Sequence, residues 1–175
     1  WGLSPLEIAV QRPLPEGRKE VPFLWGWRDE VQSWTWPGAQ GRVLSVAIFT
    51  RADRVLVELN GRAIADQAVD KAKGAITYVD VPYQPGTLIV TAFAGSKPIG
   101  RRRLETVGPP IAFRLKADRK RISADRNDLA YVTIEIVDKQ GRLVPDAASV
   151  LRASLTGPVE LAALGNANPR GVASF

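Results

Sequence analysis

The residue types able to do chemistry in this chain are few, because its 175 residues include no Cys and no His. This excludes disulfide frameworks, thiolate or imidazole metal sites, and hydrolases that use a cysteine nucleophile or a histidine base. Eighteen Asp and Glu residues remain. A glycosidase needs two carboxyls held roughly 5–10 Å apart in a cleft. No spacing indicates such a pair, since the neighbours Asp29 and Glu30 point to opposite faces of an extended strand. We therefore predict no catalytic residue, no metal site and no cofactor.

Tryptophans form the one cluster that indicates binding. Four of the five fall within twelve residues, as two pairs spaced two apart: Trp25, Trp27, Trp34 and Trp36. On extended backbone each pair projects to one face. Exposed indoles pack well against the C–H faces of sugar rings, which favours a carbohydrate-binding surface. The alternative is that these indoles cover the end of a small sandwich or an interface with a neighbouring domain. The spacing leaves both open.

The net charge of +6 is concentrated in residues 101–126, which hold nine Lys or Arg and three Asp or Glu. A basic patch at Arg101–Arg103 and Arg119–Arg121 favours a polyanion partner. The alternative is a solvated strand end followed by a turn. The stretch has one aromatic residue, Phe113, and therefore lacks stacking platforms for bases. We predict no nucleic-acid partner.

Three aspartates in the same region, Asp118, Asp125 and Asp128, have the right chemistry for Ca²⁺. Their order does not match a calcium loop and basic residues interrupt them. We predict a turn in which the carboxylates bind the backbone.

Composition indicates an ordinary folded protein, with 45% hydrophobic and 24% charged residues. No apolar run approaches the ~18 residues of a membrane-spanning helix, so no span is predicted. The chain contains no Met. We therefore expect Trp1 to be an internal position of a longer protein.

Apolar residues alternate with a period of two, which predicts strands rather than helices. In the first part of the chain the predicted strands are 43–50, 55–59, 62–65, 76–81, 87–94 and 97–105. Asn60-Gly61 predicts a two-residue hairpin turn, because both positions require positive φ. Short strands at this spacing predict an all-β chain built as an antiparallel sandwich.

Thr106-Val107-Gly108-Pro109-Pro110 cannot continue a ladder and predicts a domain boundary. We therefore expect two consecutive immunoglobulin-like β-sandwich domains, 1–107 and 108–175. Strands of the second are predicted at 111–116, 130–137, 150–155 and 159–164. Because such a sandwich needs about 100 residues, we expect the second domain to be truncated at Phe175.

Several motifs together resemble one family. In the first segment they are W-T-W-P-G (34–38), A-D-R-V-L-V-E-L-N-G-R (52–62) and V-P-Y-Q-P-G-T-L (81–88). In the second they are T-V-G-P-P (106–110), S-A-D-R-N-D-L (123–129) and G-N-A-N-P (165–169). This pattern resembles the β-sandwiches that follow the catalytic barrel of bacterial β-galactosidases in glycoside hydrolase family 2. Arg126 and Ala167 stand where that pattern usually has glycine.

The resemblance implies that the catalytic glutamates lie on an upstream (β/α)₈ barrel. This chain would then be a non-catalytic accessory region that scaffolds the barrel or an oligomer interface. The parent would hydrolyse terminal β-glycosidic bonds in carbohydrate metabolism. Expected partners are the barrel of the same polypeptide, an oligo- or polysaccharide, and a second copy of the chain. The alternative is a stand-alone carbohydrate-binding or adhesin-like module. Since relatives of this kind are often exported, a periplasmic or extracellular location is expected.

Overall fold

The chain is all-β, as predicted. The structure, a computed structural model, describes residues 4–21, 26 and 28–166. Within these residues it has ten strands, all paired antiparallel, and one short 3₁₀ turn at Lys71–Lys73.

Eight strands form two four-stranded sheets, which we call sheet A and sheet B. Sheet A has the order β2 (Glu30–Val31), β1 (Leu6–Gln11), β3 (Val43–Thr50), β6 (Ile76–Pro82). Sheet B has the order β5 (Arg62–Ala68), β4 (Arg54–Leu59), β7 (Thr87–Ala94), β8 (Lys97–Glu105). The sequence predicted all four strands of sheet B, and β3 and β6 of sheet A. It did not predict β1, β2 or the 3₁₀ turn.

Alternate residues of the two sheets point inward and form one hydrophobic core. Full burial of such a side chain contributes about 1.5–3 kcal/mol. The members with almost no exposed surface include Leu6, Ile8, Val10, Val46, Ile48, Val55, Val57, Leu88 and Val90. The period-two pattern of apolar residues therefore arises because alternate side chains of each strand point into the core, as the sequence predicted.

The hairpin turn between β4 and β5 has the predicted geometry, with positive φ at Asn60 (52°) and Gly61 (80°). The Asn60 side chain also binds the turn before β7. Its Nδ2 donates to Pro85 O (3.1 Å), and its Oδ1 accepts from Thr87 N (2.8 Å). Gly86 lies between them with φ 136°, and a Cβ there would come within 1.9 Å of Asn60 Oδ1. Asn60 therefore fixes two turns at once, and the second requires glycine.

After sheet B the chain forms a two-stranded antiparallel hairpin. Its strands are β9 (Ala112–Ala117) and β10 (Val132–Val137), close to the predicted positions. A turn beginning at Asp138 follows, and Leu143 forms an isolated bridge to Val137.

By contact density the chain divides into residues 1–145 and 146–175. Among residues 146–166 no strand forms, so the strands predicted at 150–155 and 159–164 are wrong for this structure. A strand exists only as part of a ladder, and neither segment has a ladder partner among the described residues. Val150, Leu155 and Leu161 are accordingly exposed. The domain boundary after Val107 stays a prediction.

Gly86→Ala should lower the free energy of unfolding by about 2–4 kcal/mol, because it adds a clash to an unfavourable φ. Asn60→Gly should recover part of that loss in the double variant, since it removes the clashing atom. Urea unfolding of the four proteins gives the coupling energy. Gly74→Ala is the control, because Gly74 also has positive φ (96°) but open space around it. Equal losses at Gly86 and Gly74 would contradict the clash.

Candidate functional site

The sequence motifs at 34–38, 81–88 and 106–110 lie close together at the end of the sandwich, where the chain leaves β8 and continues toward the β9–β10 hairpin. We call this region the joint: residues 33–36, 83–86 and 105–108. It contains Trp34, the only fully buried tryptophan among the described residues. The joint is the part of the chain where the singled-out residues come together.

Trp34 is the centre of the joint, with 0% of its surface exposed. Its ring packs edge-on against Tyr83, with centroids 5.1 Å apart and planes at 65°. Its Nε1 donates to Gln84 O at 3.0 Å. The Tyr83 hydroxyl accepts from the backbone N–H of Trp36 at 3.0 Å. The two aromatic rings therefore pack together and also satisfy buried polar groups of each other's loop.

Thr106 connects the end of the sandwich to both loops. Its Oγ1 donates to Trp34 O (2.6 Å) and accepts from Gly86 N (3.0 Å). Its own N–H donates to Gly86 O at 2.8 Å. Beside it, Thr35 Oγ1 accepts from Val107 N (3.0 Å). The path of the chain out of β8 is thus fixed by hydrogen bonds as well as by packing.

Asp138 ties the joint to the turn after β10. Its carboxylate is fully buried and forms an ion pair with Arg142 (2.6 Å). It also accepts from the backbone N–H groups of Gly108, Gln140 and Arg142, each at 2.9 Å. Burial alone would raise the pKa of Asp138, but Arg142 and these N–H groups outweigh it and hold the pKa well below its usual range. Asp138 is therefore a charged, structural group.

A shallow cleft of about 210 Å³ opens beside the joint. Its lining includes Gln32, Thr35, Leu143 and three charged residues: Arg103, Glu105 and Arg142. Arg103 pairs with Glu105, and Arg142 pairs with Asp138. The charges of the cleft are thus compensated within the chain, which suits a structural contact.

Of the four tryptophans predicted as carbohydrate-binding or interface residues, two can be placed. Trp34 is fully buried and Trp36 is 7% exposed, so a sugar could stack on either only if this core opened. Arg12 lies 5.9 Å from the centre of the Trp36 ring. Trp25 and Trp27 lie outside the described residues. The binding or interface role of the four stays a prediction.

The basic stretch is partly neutralised by ion pairs. Arg102 pairs with Glu7 on β1 (2.7 Å), and its guanidinium also donates to Ser4 Oγ (2.7 Å). The hydrogen bond from Arg102, helped by Ser4, lowers the pKa of Glu7 to about 2. Arg119 pairs with both Asp118 and Asp128. Arg102 therefore links β8 to β1, and Arg119 links residues of the turn between β9 and β10. The two alternatives raised by the sequence stay predictions.

The three aspartates form a turn in which the carboxylates bind the chain itself. Asp125 accepts from the backbone N–H of Asn127 (2.9 Å) and of Asp128 (3.0 Å). Asp118 accepts from the N–H of Tyr131 (2.9 Å). Arg126, which stands where the resembled pattern has glycine, has φ 67°. The glycine-type turn is thus retained although an L side chain is disfavoured there by about 1–2 kcal/mol.

In the part of the chain that the structure describes, no cluster of three or more acidic, histidine or cysteine side chains has the geometry to hold a metal ion. No helix of the described residues is long and apolar enough to cross a membrane.

Comparison with known proteins decides the family. Residues 113–175 match the model described as glycoside hydrolase family 2 C-terminal domain 5. Residues 41–100 match a domain of unknown function, DUF4982. The β-galactosidase BoGH2A of Bacteroides ovatus is 30% identical over 164 residues, which is 90% of this chain and 19% of that protein. The chain belongs to glycoside hydrolase family 2 and corresponds to a C-terminal region of its members.

Solved structures agree with this assignment. Two crystal structures of a family 2 member from Bacteroides cellulosilyticus superpose with TM-scores of 0.71 and 0.73 at 32% and 31% identity. Each match covers 82% of this chain and 19% of the solved chain. This family 2 region thus spans about a fifth of the length of the relatives it matches.

Tyr83→Phe should lower the free energy of unfolding of this family 2 region by about 1–3 kcal/mol, because the buried N–H of Trp36 loses its acceptor. Tyr131→Phe is the matched control. Tyr131 is 67% exposed, and the change there should stay within about 0.5 kcal/mol. Urea unfolding followed by tryptophan fluorescence measures both. A loss at Tyr83 no larger than that at Tyr131 would contradict the role of the hydroxyl.

Stability should fall as the pH falls from 4.5 toward 2. The folded-state pKa of Glu7 is about 2 and its ordinary value is 4.5, so between these values the unfolded chain binds the extra proton. The stabilisation by Glu7 is therefore fully present above pH 4.5 and is lost progressively as the pH falls from 4.5 to about 2. Glu7→Gln should flatten this acid limb in denaturant titrations at several pH values. Equal slopes in wild type and Glu7→Gln would refute the assignment.

Proposed function

We propose that this chain is the non-catalytic accessory region of a larger β-galactosidase-like glycoside hydrolase, and that it scaffolds the catalytic domain of that enzyme. The parent enzyme hydrolyses terminal β-glycosidic bonds, with β-galactosides as the first substrates to test. Similarity supports the enzyme class, because a relative that covers 90% of this chain is a β-galactosidase.

The observation that carries the scaffolding role is the joint. Trp34 and Tyr83 pack together in the sandwich core, and Thr106 hydrogen-bonds their loops to the segment that leads to the next hairpin. Asp138 adds a buried ion pair on the far side. Groups fixed in this way position one part of a chain relative to the next. They differ from catalytic groups, which have to contact a substrate and exchange protons with it.

We further propose that the chain comprises two domains, 1–107 and 108–175. The matched family models support this division, because they end at 100 and begin at 113, on either side of Thr106–Pro110. In this arrangement the joint is the connection between the two domains. The motifs at 34–38, 81–88 and 106–110 then have a common purpose, which is to build that connection.

The test compares three proteins: the complete polypeptide, the same polypeptide without this region, and the 175-residue chain. The complete polypeptide should release nitrophenol from an aryl β-galactoside, and the 175-residue chain should release none above buffer. Removal of the region should lower the melting temperature of the remainder. Activity of the 175-residue chain would overturn the proposal. Sugar binding by that chain, with no effect of its removal on the remainder, would support the stand-alone binding module instead.

A further inference from the structure

The dipeptide Asn60-Gly61 is chemically the least stable site of the chain. Asparagine is a thermolabile residue type, and it loses its side-chain amide most readily when glycine follows, because no Cβ shields the next backbone nitrogen. Both residues are exposed at the tip of the β4–β5 hairpin. The other asparagines precede bulkier residues: Asn127 precedes Asp128, Asn166 precedes Ala167 and Asn168 precedes Pro169.

Loss of the amide is an internal reaction of the chain. The backbone nitrogen of Gly61, after giving its proton to a base, attacks Cγ of Asn60. Nδ2 takes up a proton and leaves as ammonia, and a five-membered succinimide ring remains. Water then opens this ring. Attack at Cγ leaves aspartate at position 60, and attack at the Asn60 backbone carbonyl leaves isoaspartate, in which the main chain runs through Cγ. In total one water is consumed and one ammonia is released.

The fold opposes this reaction, because the Asn60 amide is bound at both ends to the turn before β7. Nδ2 donates to Pro85 O (3.1 Å) and Oδ1 accepts from Thr87 N (2.8 Å). The backbone N–H of Asn60 also donates to Thr87 O at 2.9 Å. Since Nδ2 is the leaving group, ring closure has to break its bond to Pro85 O. The reaction therefore proceeds from chains in which the contact between the two turns has opened.

The acidic product cannot restore that contact. A carboxylate only accepts hydrogen bonds, so aspartate at position 60 places an oxygen against Pro85 O, where the amide donated. Isoaspartate lengthens the main chain in a two-residue turn that requires positive φ at both positions. The turn at 84–87 then loses its support. Gly86 in that turn binds Thr106 through two hydrogen bonds, from Gly86 N to Thr106 Oγ1 (3.0 Å) and from Thr106 N to Gly86 O (2.8 Å). The change at Asn60 thus reaches the joint.

We propose that Asn60 is a site of spontaneous modification: its amide is lost when the β4–β5 hairpin separates from the turn at 84–87, and the acidic product loosens the joint. The opening is reversible but the loss of ammonia is not, so modified chains accumulate with time. The site goes beyond the proposed function, because it depends only on contacts within this chain and on water.

The first test measures how far the fold protects Asn60. The 175-residue chain is incubated at mildly alkaline pH, in buffer and in enough urea to unfold it, and peptide mass spectrometry follows conversion of the amide to an acid. A synthetic peptide of residues 54–66 in both solvents corrects for the effect of urea on the reaction itself. Conversion at Asn60 should be at least about tenfold slower in the folded chain, because only the opened fraction reacts. Equal rates would overturn the inference, and so would the absence of conversion in the unfolded chain.

A second measurement tests whether the contact with the turn at 84–87 provides the protection. In Gly86→Ala the added Cβ would lie 1.9 Å from Asn60 Oδ1, so the contact should open more often. Conversion at Asn60 should then be faster than in Gly74→Ala, which also substitutes a glycine of positive φ but has open space around it. Both variants are compared in buffer in which circular dichroism shows them folded. Equal rates in the two variants would overturn the role of the contact.

The third measurement follows the effect of the product on the joint, with Asn60→Asp as its mimic. The amide hydrogens of Gly86 and Thr106 should exchange with solvent at least about tenfold faster than in wild type, because the turn that binds them is released. Those of residues 46–48 on the inner strand β3 should exchange at the wild-type rate. Asn127→Asp is the matched control, since the Asn127 side chain has no hydrogen bond to the described residues. Unchanged exchange at Gly86 and Thr106 would overturn the link to the joint, and so would equal acceleration in β3.

Discussion

The structure depends on satisfying buried polar groups at the point where the sandwich ends. Strand β8 finishes at Glu105, and the next residues must leave the sheet without losing their hydrogen bonds. The Thr106 hydroxyl provides two of these hydrogen bonds, because it donates to Trp34 O and accepts from Gly86 N. Each bond is worth only about 0.5–1.5 kcal/mol when made. An unpaired buried partner costs more, at about 1–3 kcal/mol. Loss of one hydrogen bond in the joint would therefore leave a buried partner unpaired, and the bonds of the joint stabilise one another.

This set extends back into the sandwich through Gly86. The turn that presents Gly86 to Thr106 is itself held by the Asn60 side chain, which binds Pro85 O and Thr87 N. A hairpin turn between β4 and β5 thus supports the exit of the chain from β8. The Asn-Gly pair and the Pro-Gly pair look like independent turns in the sequence. In the structure they are one unit, and the close approach of Asn60 to Gly86 explains why the second turn contains glycine.

Sequence reasoning succeeded where a local rule decides the outcome and was incomplete where tertiary pairing decides it. Period-two alternation located β3–β8, and the φ requirement located the turn at Asn60. Strand β1 has the same alternation in Leu6, Ile8 and Val10 but was missed, and β2 is too short at two residues to show any. The strand predicted at 159–164 has no ladder partner among the described residues. The spacing of Trp34 and Trp36 indicates only a shared face, and their burial depends on Tyr83, 47 residues beyond Trp36.

Several carboxylates of the described residues are held as anions by hydrogen bonds and ion pairs. The lowered pKa values of Glu7, Asp118, Asp125, Glu135 and Asp138 each involve hydrogen bonds from arginine, lysine or backbone N–H groups. Such groups stay ionised at neutral pH and act as fixed anions. A general acid needs the opposite, a pKa raised toward the working pH. Glu30 is the exception, since burial raises its pKa. The hydrogen bond with Tyr78 acts in the opposite direction and lowers the pKa of Glu30, so the rise shows that burial outweighs that bond.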